Sequence, residues 1–421
     1  MLMIEKYLGE RYRNQWKPIV VIIGLVILFT HGFNYINWNP TYGGWLSKVI
    51  YLFLALFFFL KVNAKSKRYN FSKEINLLIL LPFLSIINSW YFYSQSIYDS
   101  ITTTFCSFVW VIYYILPRKK VSESTILRIF LYVALLIVAI QIVQQFTYPN
   151  ALFGIRSEEY MIEKGLTEIA EQRNGLWRFR MHQNAYYTVP ILFSSWIWLQ
   201  NRVDKKLLLL VVLLLVSVYL TLTRQVMFSC ALTILISYFM GRQKINKGFL
   251  ILGLILIIGL YVYYDILFSS LAEQTAEDTT EDNIRILAAA YFWNESIRNP
   301  LVFLLGCGIP VGDSMLGQHI AQLQSMFGFY TSDVGFIGQI YEKGVIYVIL
   351  CYYIMYRVFF KLKNIVPTYI RMFVSFVAIM SPMIFPIISD STFLIWSLLL
   401  YVCDVYINQS KVQQYDIRKS S

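Results

Sequence analysis

Apolar runs long enough to cross a bilayer recur along nearly the whole chain. A helix needs about 20 residues to span the hydrocarbon core, and about 17 is the lower limit. Runs of that order stand at 18–33, 45–62, 75–93, 98–116, 126–146, 182–200, 207–223, 225–240, 248–264, 334–356, 370–388 and 391–407. Backbone groups inside lipid must be paired within their own segment, so such runs are read as helices. The expected fold class is all-α: a polytopic integral membrane protein with about 12 transmembrane helices in a single membrane domain, 1–421. Composition agrees, since 57% of residues are hydrophobic and only 14% charged, against about 25% charged in soluble proteins. The first run has no small-residue cleavage site and is followed by further spans, so it reads as an anchor.

Orientation follows from where the cations sit. The net charge of +12 would suit nucleic acid, but the basic residues fall in short clusters between apolar runs, which is a topology signal. Lys6 to Lys17, Lys61 to Lys73, Arg118 to Arg128, Arg202 to Lys206, Arg242 to Lys247, Arg357 to Arg371 and Lys411 to Lys419 hold 26 of the 36 Lys and Arg residues. Cytoplasmic loops carry this excess, so both termini are expected in the cytoplasm and no nucleic-acid partner is expected. Two long outer loops result, 147–181 and 265–333. Long loops in compact proteins usually carry function. No GxxxxGK[ST] loop for a nucleotide is found. The five Cys show no CxxC spacing, so neither a metal site nor a disulfide framework is expected.

The first outer loop ends in Arg173-Asn174-Gly175-Leu176-Trp177-Arg178-Phe179-Arg180-Met181-His182. If 177–180 is extended, Arg178 and Arg180 share one face, and Trp177 and Phe179 the other. The positive-inside rule disfavours Arg173, Arg178 and Arg180 here. Guanidinium forks match phosphate oxygens, so an anionic head group is one reading. Pairing with the nearby acids Glu158, Glu159, Glu163, Glu168 and Glu171 is the other. Arg224 joins two apolar runs with almost no loop, which places it at the outer interface; such groups usually face a cavity or snorkel to head groups.

In the second outer loop, Glu273 to Asp282 reads as a solvated acidic face, because it lacks EF-hand spacing. Residues Asn283 to Asn299 read as an amphipathic helix carrying Arg285 and Arg298, with Thr279 or Thr280 as N-cap and Pro300 as its stop. Gly306, Gly308 and Gly312 read as a tight turn near the membrane surface. Asp333, just before the run 334–356, has a structural role open to it as a helix N-cap. Glu342 is either a buried functional acid or a sign that its span starts later. His182 is the best placed of three His residues, although a lone His at a helix start is more often structural.

Two stretches resemble the O-antigen polymerase and ligase superfamily. One is Leu220-Thr221-Leu222-Thr223-Arg224, similar to that family's Ser/Thr-Arg at a helix-hairpin tip. The other is Arg285…Asn299-Pro300-Leu301…Leu305-Gly306-Cys307-Gly308, followed by Asp333-Val334-Gly335-Phe336-Ile337-Gly338-Gln339-Ile340-Tyr341-Glu342-Lys343-Gly344. Ligases of the superfamily usually carry His-Asn where this chain has Ser332-Asp333, which favours a Wzy-type polymerase. The Arg-x10-Gly pattern of some polymerases is not met. The resemblance implies a GT-C-like membrane glycosyltransferase in the bacterial inner membrane. It would join undecaprenyl-diphosphate-linked oligosaccharides into capsule or lipopolysaccharide, without a cofactor. Its implied partners are that lipid-linked oligosaccharide, membrane lipids, a chain-length regulator and a flippase. It implies Arg224, Arg285, Arg173, Arg178, Arg180 and Arg298 on the diphosphate, and Asp333, His182 or Glu342 as the base. A ligase-type glycan transferase and a flippase of lipid-linked oligosaccharides are the alternatives.

Overall fold

A computed structural model describes residues 15–34, 40–61, 69–147, 170–173, 175–179, 184–202, 204–240 and 284–420. In chain order the elements are α1 (Trp16–Phe29), α2 (Pro40–Lys61), α3 (Ser72–Tyr93), α4 (Ile97–Thr104), a 3₁₀ stretch (Phe105–Val111), α5 (Ile112–Arg118) and α6 (Glu123–Thr147). Then come the strands β1 (Ala170–Arg173) and β2 (Leu176–Phe179), and the helices α7 (Asn184–Asn201), α8 (Lys205–Leu220) and α9 (Arg224–Met240). The remainder is α10 (Ile284–Arg298), α11 (Pro300–Leu305), α12 (Met315–Phe327), a 3₁₀ turn (Thr331–Val334), α13 (Gly335–Lys343), α14 (Val345–Tyr356), α15 (Thr368–Met380) and α16 (Asp390–Ser420).

The chain is thus helical apart from one short hairpin among the described residues. Among the described residues, four helices are long and apolar enough to cross a membrane: Ser72–Tyr93, Ile97–Arg118, Glu123–Thr147 and Asp390–Gln413. Shorter apolar helices cover Trp16–Phe29, Gly44–Leu60, Arg224–Tyr238 and Thr368–Met380. The run at 248–264, the acidic stretch with Thr279 and Thr280, and most of 147–181 lie outside the described residues. One expectation is corrected here. The run 334–356 is two helices, α13 and α14, parted at Gly344. The helix expected to stop at Pro300 does so: α10 ends at Arg298, Asn299 is extended as the residue before a proline prefers to be, and Pro300 opens α11, whose N-cap Asn299 accepts a hydrogen bond from Leu301 N at 3.0 Å. Proline suits that first position because its missing N–H would have no helical partner.

The chain divides into two compact units, each built from separate stretches of sequence. The first holds residues 1–43, 124–280 and 368–376. Its core packs Tyr186 and Phe193 of α7 against Phe376 of α15. Between α6 and α8, the buried Ser217 hydroxyl donates to Gln141 Oε1 at 2.5 Å, and Gln141 Nε2 returns a bond to the Ser217 carbonyl at 3.3 Å. Buried polar groups need such reciprocal partners to offset their desolvation.

The second unit holds residues 44–123, 281–367 and 377–421. Trp110 stacks on Phe393 of α16, with ring centroids 5.5 Å apart. At one end of this unit, buried Asp404 accepts bonds from Tyr113 and from the Asn70 backbone N–H, and Arg357 pairs with Glu74. Tyr401 donates to the Val121 carbonyl there. At the other end, α3 and Gln95 just beyond it grip the chain from 301 to 314.

Candidate functional site: an arginine-bearing hairpin and a glycine-rich turn

In the first unit, β1 and β2 pair antiparallel, with Glu171 opposite Arg178 and Gln172 opposite Trp177. Asn174-Gly175 at the bend is the strongest short hairpin signal a sequence offers. Gln145, in the last turn of α6, fixes the hairpin. Its Nε2 donates to the Trp177 carbonyl at 2.6 Å, and its Oε1 accepts from Trp177 N at 3.0 Å. An amide side chain thereby stands in for the edge of a neighbouring strand.

With Trp177 pinned, alternation decides where Arg178 goes. Its Nη2 donates to Thr223 Oγ1 at 3.4 Å, across 45 positions of sequence. Thr223 lies in the short connection between α8 and α9. The Thr223 carbonyl accepts the first helical bonds from Val226 N and Met227 N at 3.0 and 3.1 Å. Leu222 takes a positive φ of 45° to close this bend. Arg224 is the first residue of α9 and is half-buried, as is Arg178. The structure therefore brings the loop residue Arg178 to Thr223, the residue before Arg224, across features separate in the sequence. A helix N-terminus carries the positive end of the helix dipole, so charge and dipole favour an anion at this tip. The Arg173 side chain, Arg180 and His182 lie outside the described residues.

In the second unit the glycine-rich turn caps a helix. The last carbonyls of α13 have no helical donors. Cys307 N donates to the Tyr341 carbonyl at 2.7 Å and Gly308 N to the Glu342 carbonyl at 2.9 Å. Gly306 (φ 85°, ψ 164°) and Gly344 (φ 85°, ψ 159°) occupy a backbone region essentially closed to other residues. A Cβ on Gly306 would collide with the Glu342 carbonyl, and one on Gly344 with the Leu304 carbonyl. The turn in turn hangs from α3. Asn88 Nδ2 donates to the carbonyls of Leu301 and Gly306 at 3.0 and 2.8 Å, and Ser89 Oγ to that of Cys307 at 2.7 Å. Gln95 binds Ile309 O, Val311 N and Ser314 Oγ. The turn is thus shaped by packing against α3 and α13. Sequence reasoning missed Gln145, Asn88, Ser89 and Gln95; a polar side chain in or just after an apolar run was their signal.

Glu342 is half-buried in α13. Its carboxylate accepts from Thr331 Oγ1 at 2.6 Å and, at 3.4 Å, from Gln339 Nε2. Lys343 points away from it, into the core, donating to the Ile388 carbonyl at 2.9 Å with the Tyr347 and Phe393 rings 5.1 and 5.3 Å from its ammonium. Asp333 does not serve as a side-chain N-cap. It sits exposed inside the 3₁₀ turn and accepts from Ser332 Oγ at 3.2 Å. Arg285 is exposed near the start of α10. Arg298 is exposed and pairs with Glu295 at 3.5 Å. Tyr291 shares a hydrogen bond with His319 of α12, 3.1 Å away; burial, with Glu295 nearby, pushes its phenol above the ordinary value. No cluster of His, Cys, Asp and Glu able to hold a metal is present among the described residues.

No protein-family model, curated protein or solved structure matches this chain.

Proposed function

We propose that this protein is a polysaccharide polymerase of the bacterial cytoplasmic membrane, with about twelve spans, both termini inside and its chemistry outside. It transfers a growing glycan from undecaprenyl diphosphate to the terminal sugar of an incoming lipid-linked repeat unit. The bond between the anomeric carbon and the diphosphate oxygen breaks, and a glycosidic bond forms to the acceptor hydroxyl oxygen. The hydroxyl proton leaves to a base or to water, and the lipid diphosphate departs with its charge.

One observation carries this reading: Arg178 reaches Thr223 beside Arg224 at the positive end of α9. Charge grows on the departing diphosphate, and preorganised donors stabilise it in the transition state. The topology gains support within the second unit, whose hydrogen bonds join residues expected on one side. Asp404 with Asn70 and Tyr401 with Val121 belong to ends expected inside, whereas Asn88 with Gly306 and Gln95 with Ile309 belong to ends expected outside. Assigning Arg285, Asp333 and Glu342 to the reaction rests on the family resemblance alone.

Purified protein supplied with lipid-linked repeat units should build a ladder of glycan lengths. Arg178→Lys and Arg224→Lys should each slow it by about 10²–10³-fold, since an ammonium cannot present paired donors. Arg202→Lys, exposed beyond α7, should leave the ladder intact. Near-normal ladders from Arg178→Lys and Arg224→Lys refute the site. In cells lacking the protein, lipid-linked units trapped on the inner leaflet would point to a flippase instead.

A further inference from the structure

We propose that α10 and α11, which the sequence places in an outer loop, lie embedded in one leaflet of the bilayer, with a lateral stripe of side chains against lipid acyl chains. The stripe is Ile286, Trp293 and Ile297 on α10, continued by Leu301 and Leu304 on α11. These are 53, 39, 48, 51 and 42% exposed.

The helix has three faces, about a third of a turn apart at helical periodicity. Ala288, Phe292 and Ser296 are buried and face the unit. Ile286, Trp293 and Ile297 form the lateral face. Asn294 and Arg298 lie on the third, where Leu287 and, at the helix start, Ile284 are the exposed large apolar side chains. A helix at a water boundary needs one apolar face, and a second continuous one needs a second apolar neighbour.

Three observations name that neighbour as lipid. The first is depth. The turn after α11 is bonded through Asn88 and Ser89 to α3, a helix long enough to span, and through Cys307 and Gly308 to Tyr341 and Glu342 at the end of α13. The second is continuity. Beside Asn88, α3 exposes Leu84, Ile87 and Tyr91 at helical spacing, a strip that lipid covers along a spanning helix. The third is the flanking chemistry. Trp293 is a residue type enriched at membrane interfaces, and Arg298 at the helix end can extend its guanidinium toward head groups. The inference concerns placement in the bilayer and stands whatever reaction the protein performs.

Spin labels on the protein reconstituted in phosphatidylcholine–phosphatidylglycerol vesicles test it. Labels go singly at Ile297, Leu301 and Asn294 in a Cys106→Ser background, because the other four cysteines are buried. Collision with oxygen, which concentrates in lipid, is compared with collision with a polar nickel chelate. Labels at Ile297 and Leu301 should collide at least several-fold more with oxygen than the label at Asn294, and correspondingly less with nickel. Equal nickel access at Ile297 and Asn294 would place α10 in water and overturn the proposal. Low collision with both reagents at Ile297 and Leu301 would mean protein covers the stripe, and would overturn it too. An Asn294 label as oxygen-rich as Ile297 would refute the one-sided placement.

Discussion

Replacing Gly306 by Ala tests the physical basis of the glycine-rich turn. Gly306 sits at φ 85° and ψ 164°, where an alanine bears about 1–3 kcal/mol of backbone strain. The new Cβ also meets the Glu342 carbonyl and the Lys343 amide nitrogen. Both are backbone, and the Glu342 carbonyl is already held by Gly308 N, so neither can swing aside. Forcing an extra carbon into such packing costs about 1–3 kcal/mol. Together these give a loss of roughly 2–6 kcal/mol. Gly344→Ala should cost a similar amount, because its Cβ meets the Leu304 carbonyl. The double variant should lose less than the sum, since both changes open one contact. Two controls separate the contributions. Gly175 has a positive φ of 74° but open space around it, so Gly175→Ala should cost only the left-handed strain, about 1–2 kcal/mol. Gly312 has neither a close neighbour nor a positive φ, so Gly312→Ala should stay within about 0.5 kcal/mol. The assay is unfolding of detergent-purified protein followed by tryptophan fluorescence. If Gly306→Ala unfolds together with Gly312→Ala, the packing described for the turn is wrong.

Two further outcomes are expected. Asn88→Ala strips a donor from two backbone carbonyls and should destabilise the protein by about 1–3 kcal/mol, whereas exposed Asn201→Ala should cost well under that; equal unfolding of the two variants would show that Asn88 does not hold the turn. Gln145→Leu should release the Trp177 amide from protection in hydrogen exchange, and should lower polymer formation by freeing Arg178; unchanged exchange at Trp177 would remove Gln145 as the tether.

The apolar runs decided the helical class of this protein before any tertiary contact. The apolar runs at 75–93, 98–116, 126–146 and 391–407 correspond to helices that start and stop within a few residues of them, apart from the longer C-terminal end of α16. Backbone hydrogen bonds in a helix are local, and an apolar stretch carries that information in itself. The helix from 284 to 298 was legible for the same reason, whereas extension over 177–180 entered only as a condition, because a strand's hydrogen bonds come from its partner.

Tertiary structure decided what lies across the chain. Nothing in the order of residues says that Gln145 pins Trp177, that Arg178 reaches Thr223, or that Asn88 holds the carbonyls of Leu301 and Gly306. Each of those bonds joins residues more than 30 positions apart, and a polar side chain in an apolar run does not announce its partner. The break at Gly344 was half legible, because Glu342 and Lys343 stand just before it and Glu342 was one sign that the span starts later. It exists because Leu304 approaches too closely for any side chain and because the turn at 306–308 supplies the donors that let α13 end there.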